Sequence, residues 1–207
     1  MNKMNYDLTK FRTGDLGVCF GTSAVDKLIW SVEELEVLRL GLPKNIEIPE
    51  HIFYIVAPFE NVMFTKRSAN YILLKDNVYV FEDKIDGCEF GLLTDRYPQT
   101  ANVVYIERVN PFSNKAVLAG QNRAIEGFIK SFAYGWLNFI YQIPHVLWGA
   151  SLKRLRLIGS EICSQFAAAC DNDSCRADNE IVDFANEETT NPLEVWINKN
   201  FKVKKFD

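Results

Sequence analysis

Histidine is scarce in this chain, with only His51 and His145 among 207 residues. Any chemistry that needs an imidazole must therefore run through one of two places, and a centre built on several histidines is excluded. Cysteine is also sparse: Cys19, Cys88, Cys163, Cys170 and Cys175 form an odd set with irregular spacing. That set fits neither a disulfide framework nor a CxxC pair, and a reducing interior is the simplest home for it. A zinc site drawn from Cys163, Cys170, Cys175 and His145 would lack the short ligand knuckles of structural sites, so no metal and no other cofactor is expected. Positive charge is in no surplus either. The net charge is −4, and the basic clusters, Lys153-Arg154-Arg156 and Lys202-Lys204-Lys205, are short. Nothing here has the electrostatic footprint of a nucleic-acid binder, so no nucleic-acid partner is expected.

Long apolar runs are missing as well. The first residues, Met1 to Asp7, lack the apolar core of a secretory signal. The longest apolar region, Ile125 to Leu152, is interrupted by Lys130, Asn138, Gln142, Pro144 and His145, and is not a membrane span. These absences predict a protein of the cytoplasm, or one carried in a larger assembly. The aromatics of that region, Phe128 to Trp148, read as a core helix followed by an apolar loop, with a lipid- or partner-facing surface as the alternative. No repeat or low-complexity linker appears. With 48% hydrophobic and 13% aromatic residues the chain has ample material for a core, and residues 1–207 read as one domain.

Periodicity predicts a short strand over Leu16–Phe20 after the turn at Arg12-Thr13-Gly14-Asp15, and a helix over Ser23–Leu40. Strands follow at His51–Val56, Val62–Thr65, Tyr71–Leu74 and Val78–Glu82, then at Asn102–Arg108, which stops at Asn110-Pro111. The middle of the chain is thus a mostly antiparallel sheet. A helix over about Ser113–Tyr134, the aromatic segment, a helix at Cys163, an acidic loop from Asp171 to Glu188 and a short helix begun by Asn191-Pro192 complete the pattern. Helix, sheet, then helices is an α+β arrangement with the helices gathered on one side.

The stretch Ser160-Glu161-Ile162-Cys163-Ser164-Gln165-Phe166-Ala167-Ala168-Ala169 places a cysteine at the start of a small, apolar helix, with Ser160 as its N-cap. The positive end of such a helix favours a thiolate, which is what a cysteine nucleophile needs; a buried structural cysteine is the plainer alternative. A thiolate nucleophile needs an imidazole to hold its proton and a third group to orient that imidazole. His51 opens a strand, where its side chain projects from a rigid frame, whereas His145 follows Pro144 in an irregular apolar stretch. His51 is the better base, the alternative being an exposed strand-end residue beside Glu50. Glu82, ending the strand that starts at Val78 and followed by a charged turn at Asp83-Lys84, is the candidate orienting group, or else a solvated carboxylate.

These elements, in this order, resemble the circularly permuted papain-like fold of the NlpC-type amidases and peptidases, in particular its YiiX-like branch. Gly14-Asp15-Leu16 opens the first strand, a histidine heads a sheet strand, a strand ends in Phe81-Glu82, Cys163-Ser164 lies late on a helix, and Asn191-Pro192-Leu193 is similar to the family's closing element. The likeness runs from about Thr13 to Ile197. It implies an antiparallel sheet or half-barrel packed against helices, with Cys163 as nucleophile, His51 as general base and acid, and Glu82 fixing the imidazole. The departures are Glu50 in place of the small residue usual before the histidine, Gln165 in place of the usual hydrophobic-acidic sequel to Cys-Ser, and a longer segment between Ser31 and Pro49. The implied activity is hydrolysis of a peptide or cell-wall amide through an acyl-thioester. The same fold includes lipid acyltransferases and thioesterases, which keeps an acyl substrate open. A protein of another class, one that keeps the frame as an interaction or structural module without turnover, is the second reading.

Overall fold

The computed structural model describes residues 7–20, 34, 37–43, 46–84, 87–98, 102–130, 133–134, 160–161, 163–185 and 190–205. Most of the helix expected over Ser23–Leu40, the aromatic segment, His145 and the Lys153-Arg154-Arg156 cluster lie outside them. A six-stranded antiparallel sheet is the frame, in the order β10-β7-β1-β2-β5-β6. Its strands are β1 (Leu16–Cys19), β2 (His51–Val56), β5 (Tyr79–Lys84), β6 (Gly87–Leu92), β7 (Val103–Arg108) and β10 (Phe201–Val203). A separate hairpin, β3 (Val62–Lys66) with β4 (Ala69–Leu73), turns through Arg67 and Ser68, both in the left-handed region. Two short strands, β8 (Ala133–Tyr134) and β9 (Ser160–Glu161), pair in parallel. The helices are α1 (Leu93–Arg96), α2 (Asn114–Lys130), α3 (Cys163–Ala177) and α4 (Pro192–Trp196). This is an α+β architecture with a mostly antiparallel sheet, and no helix among the described residues is long and apolar enough to cross a membrane.

Strand alternation divides the sheet into two buried faces. Leu16, Val18, Ile52, Tyr54, Tyr79, Phe81 and Ile106 point to one side, where they pack with Ala124, Phe128, Phe166, Ala167 and Ala168 of α2 and α3. Their neighbours along the strands, Phe53, Ile55, Val80 and Tyr105, point to the other side and pack with Phe11 and Leu93. Because both faces are covered, β2 is apolar throughout after its first residue. The two long helices pack closely through glycines of α2. A Cβ at Gly120 would lie 2.2 Å from the Tyr54 hydroxyl and 2.4 Å from Ser174 Oγ, and one at Gly127 would lie 2.5 Å from the Phe166 ring.

Several boundaries differ from the sequence expectation. Glu82 does not end its strand: β5 runs on to Lys84 because it pairs with β6 along its whole length, Lys84 opposite Gly87. Ser160 is not the N-cap of the Cys163 helix, since it sits in β9, three residues before α3 begins. The acidic loop starts later than Asp171, because α3 continues to Ala177. It stops in a Schellman arrangement, with Asn179 in the left-handed region and Glu180 N–H bonded to the Cys175 carbonyl. Helix α2 ends at Lys130 rather than near Tyr134. The helix begun by Asn191-Pro192 forms as expected, closed by a capping box between Asn191 and Glu194.

Candidate active site

Register brings the expected residues to one end of the sheet. β2 lies between β1 and β5, with Cys19 opposite His51 and Tyr54 opposite Phe81. One step along from Tyr54 and Phe81, Phe53 and Glu82 lie on the other face, which His51 and Lys84 share by alternation. Helix α3 packs on the opposite face, and its first residue, Cys163, reaches the head of β2 from there. The Cys163 thiol lies within hydrogen-bonding reach of the His51 imidazole. On its other side the ring is bound to Glu82, Nε2 to Oε2 at 3.0 Å. Since Nε2 faces the carboxylate, Nδ1 is the ring nitrogen left for the sulfur. The structure therefore brings Cys163, His51 and Glu82 into one line.

The electrostatics of that line follow from burial and pairing. Glu82 has 1% of its side chain exposed, the His51 side chain 23%, and Cys163 is buried. Burial opposes the charged imidazolium, yet the negative sulfur and its hydrogen bond, followed by Glu82, push the His51 pKa up to about 10. Burial likewise opposes charge on Glu82. The hydrogen bond and charge of His51, then Lys84 and Tyr97, more than offset it and lower the carboxyl to about 2. An imidazolium held this firmly beside a sulfur is the counter-ion that a thiolate needs.

Glu82 has three further partners. Tyr97 Oη donates to Oε2 at 2.5 Å, Lys84 Nζ lies 2.8 Å from Oε1, and Arg96 Nη1 lies 3.6 Å from Oε1. Lys84 had a signal, because a charge two positions after Glu82 falls on the same strand face. Tyr97 and Arg96 had none, sitting in and just after the short helix α1, which periodicity does not reveal. Tyr97 stacks on Phe53, with ring centroids 4.1 Å apart and planes at 18°. It also hydrogen-bonds Cys19, whose thiol burial pushes up to about 12.

Comparison with protein-family models finds no match, and comparison with curated proteins finds none either. The reading of the site therefore rests on its own geometry.

A second polar cluster lies further along α3. Asp171, Cys175 and Asp183 bring ligand-type atoms within 4.8 Å of one another. A cation already occupies their centre, because Arg108 Nη1 is 3.0 Å from Asp171 Oδ1 and pairs with Asp183 as well. Burial, with Asp183 beside it, lifts Asp171 to about 8 in spite of Arg108. The arrangement anchors the end of β7 to α3 and to the loop after it.

Proposed function

We propose that this chain is a cysteine hydrolase of the circularly permuted papain-like kind, in which Cys163 is the nucleophile, His51 the general base and acid, and Glu82 the group that orients the imidazole. One observation carries the reading: Cys163, His51 and Glu82, separated by 31 residues in one case and far more in the other, form a continuous hydrogen-bonded line at the start of α3. A nucleophile bonded to a base that is itself oriented by a third group is the pattern covalent catalysis requires.

The chemistry follows from these positions. His51 holds the proton of Cys163, and the sulfur attacks the amide carbonyl carbon, forming a C–S bond while the carbonyl oxygen becomes an oxyanion. The first N–H groups of α3 have no partner within the helix, which makes them donors for that oxyanion, a contribution worth about 3 kcal/mol of barrier. His51 then delivers its proton to the leaving nitrogen as the C–N bond breaks. An acyl-thioester remains on Cys163, and water, deprotonated by His51, releases the acid and restores the thiol. A peptide or cell-wall amide is the substrate class of this reading.

The test is covalent labelling together with turnover. Wild-type protein should hydrolyse an activated ester or a small peptide, and iodoacetamide should label Cys163 ahead of Cys19 and Cys88. Cys163→Ala should abolish turnover, and His51→Ala should lower both turnover and the labelling rate by at least about a hundredfold. Unchanged hydrolysis in Cys163→Ala would remove the hydrolase reading and leave that of an interaction or structural module on the same frame.

A further inference from the structure

We propose that Tyr97 is the positioning residue of this site, its hydroxyl fixing the Glu82 carboxylate so that the His51 ring keeps Nε2 on Glu82 and Nδ1 toward Cys163. The proposal rests on the reading of Cys163 as a nucleophile. The two oxygens of Glu82 are held differently. Oε1 is met by Lys84 at 2.8 Å and Arg96 at 3.6 Å, whose side chains are 41% and 32% exposed. Long, partly solvated cations neutralise a carboxylate without fixing its plane. Oε2 accepts both from His51 Nε2 at 3.0 Å and from Tyr97 Oη at 2.5 Å. The oxygen that carries the imidazole is thus the one that the tyrosine aims.

The phenol ring is itself fixed. It stacks at 18° on Phe53, which is fully buried and whose ring fills the space left by the missing side chain of Gly17 on β1. Since the Tyr97 O–H donates to Glu82, its oxygen is the acceptor for the Cys19 thiol, and Cys19 is the β1 partner of His51. The chain of contacts leaves His51, passes through Glu82 and Tyr97, and returns to the residue opposite His51 across the strand pair. With Glu82 only 1% exposed, water has little access to take the place of the hydroxyl. Two strands and α1 are therefore tied to one carboxylate oxygen.

The experiment compares Tyr97→Phe, Glu82→Gln and the double variant in the full chain. It measures Cys163 alkylation by iodoacetamide from pH 5 to 11 and the titration of the His51 ring by NMR. Tyr97→Phe should slow alkylation by about tenfold at neutral pH and move the alkaline limb, near 10 in the wild type, down by about one unit as the imidazole loses its alignment. In the Glu82→Gln background the same change should have under about a threefold effect, because the hydroxyl acts through the carboxylate. Full additivity of the two substitutions, or a wild-type pH limb in Tyr97→Phe, would overturn the proposal. If Tyr97→Phe does not fold, Phe53→Leu keeps the hydroxyl but frees the ring. The same downward shift there supports the assignment, and a wild-type limb rejects it. Failure of the hydrolase reading would look different: Cys163 would label no faster than in His51→Ala, while the His51 titration would still report on Tyr97.

Discussion

Gly17→Ala adds one methyl group to a strand with no room for it. A Cβ at position 17 would lie 1.8 Å from Phe53 Cζ, 2.1 Å from Cε2 and 2.4 Å from Cε1. Carbon atoms settle at about 3.5–4.0 Å, so the Phe53 ring would have to retreat by about 2 Å. Behind it lies the stacked Tyr97 ring, 4.1 Å away, whose hydroxyl is bound to Glu82 at 2.5 Å. Overpacking of a fully buried ring costs about 1–3 kcal/mol, and leaving the buried carboxylate short of its donor adds about 1–3 kcal/mol more. The expected loss is therefore about 2–6 kcal/mol, seen as a lower urea midpoint with an unchanged slope. Cys163 alkylation should slow as well, although Gly17 touches neither the sulfur nor the imidazole. Phe53→Leu, which makes room, should recover part of the loss in the double variant, with a coupling of about 0.5–3 kcal/mol. A Gly17→Ala protein within about 0.5 kcal/mol of wild type, or one whose loss simply adds to that of Phe53→Leu, would refute the packing argument.

Glu82 titrates at about 2 in the folded protein against about 4.3 in an unfolded chain. Its contribution to stability is thus fully present above about pH 4.3 and is lost as pH falls through 2. Urea midpoints from pH 2 to 6 should fall less steeply on the acid side in Glu82→Gln than in wild type, and equal slopes would contradict the pairing. At Gly120, helix propensity predicts that alanine stabilises by about 1 kcal/mol, whereas a Cβ 2.2 Å from the Tyr54 hydroxyl and 3.1 Å from the Cys170 carbonyl predicts a loss. Thermal melts of Gly120→Ala should show a lower Tm, the packing effect outweighing propensity. Arg108→Met leaves Asp171 and Asp183 buried without their cation, at a cost of about 3–5 kcal/mol near neutral pH. The deficit should grow as pH rises through about 8, where Asp171 ionises beside Arg108 in the wild type but is held protonated without that cation, and a pH-independent loss in denaturant titrations would rule out the charge explanation.

What could be read from the sequence, and what could not, follows from where each signal lies. His51–Val56 and the strand ending at Arg108 were legible because β-branched and aromatic residues mark strands whichever face is buried. The strand of His51 lies beside that of Glu82, and the order of motifs that carries the family resemblance was enough to name Cys163, His51 and Glu82 together. The end of β5 could not, because Glu82-Asp83-Lys84 looks like a charged turn. Pairing with β6 carries the strand through it, and the buried charge of Glu82 is met by His51, Lys84 and Arg96. Likewise Asp171-Asn172-Asp173-Ser174 has the composition of a loop, yet it is helical in α3. Arg108 reaches in from β7 to Asp171, and the Asn172 amide exchanges hydrogen bonds with the backbone of Phe184 at 2.7 and 3.1 Å. At β5 it is the pairing with the strand that follows directly, and at α3 a cation from 63 residues earlier in the chain, that overrides local preference. Tyr97 is the extreme case. It lies 46 residues from His51 and outside any periodic element, and its link to the site runs through an oxygen of Glu82, so only the folded arrangement of β2, β5 and α1 shows that it belongs there.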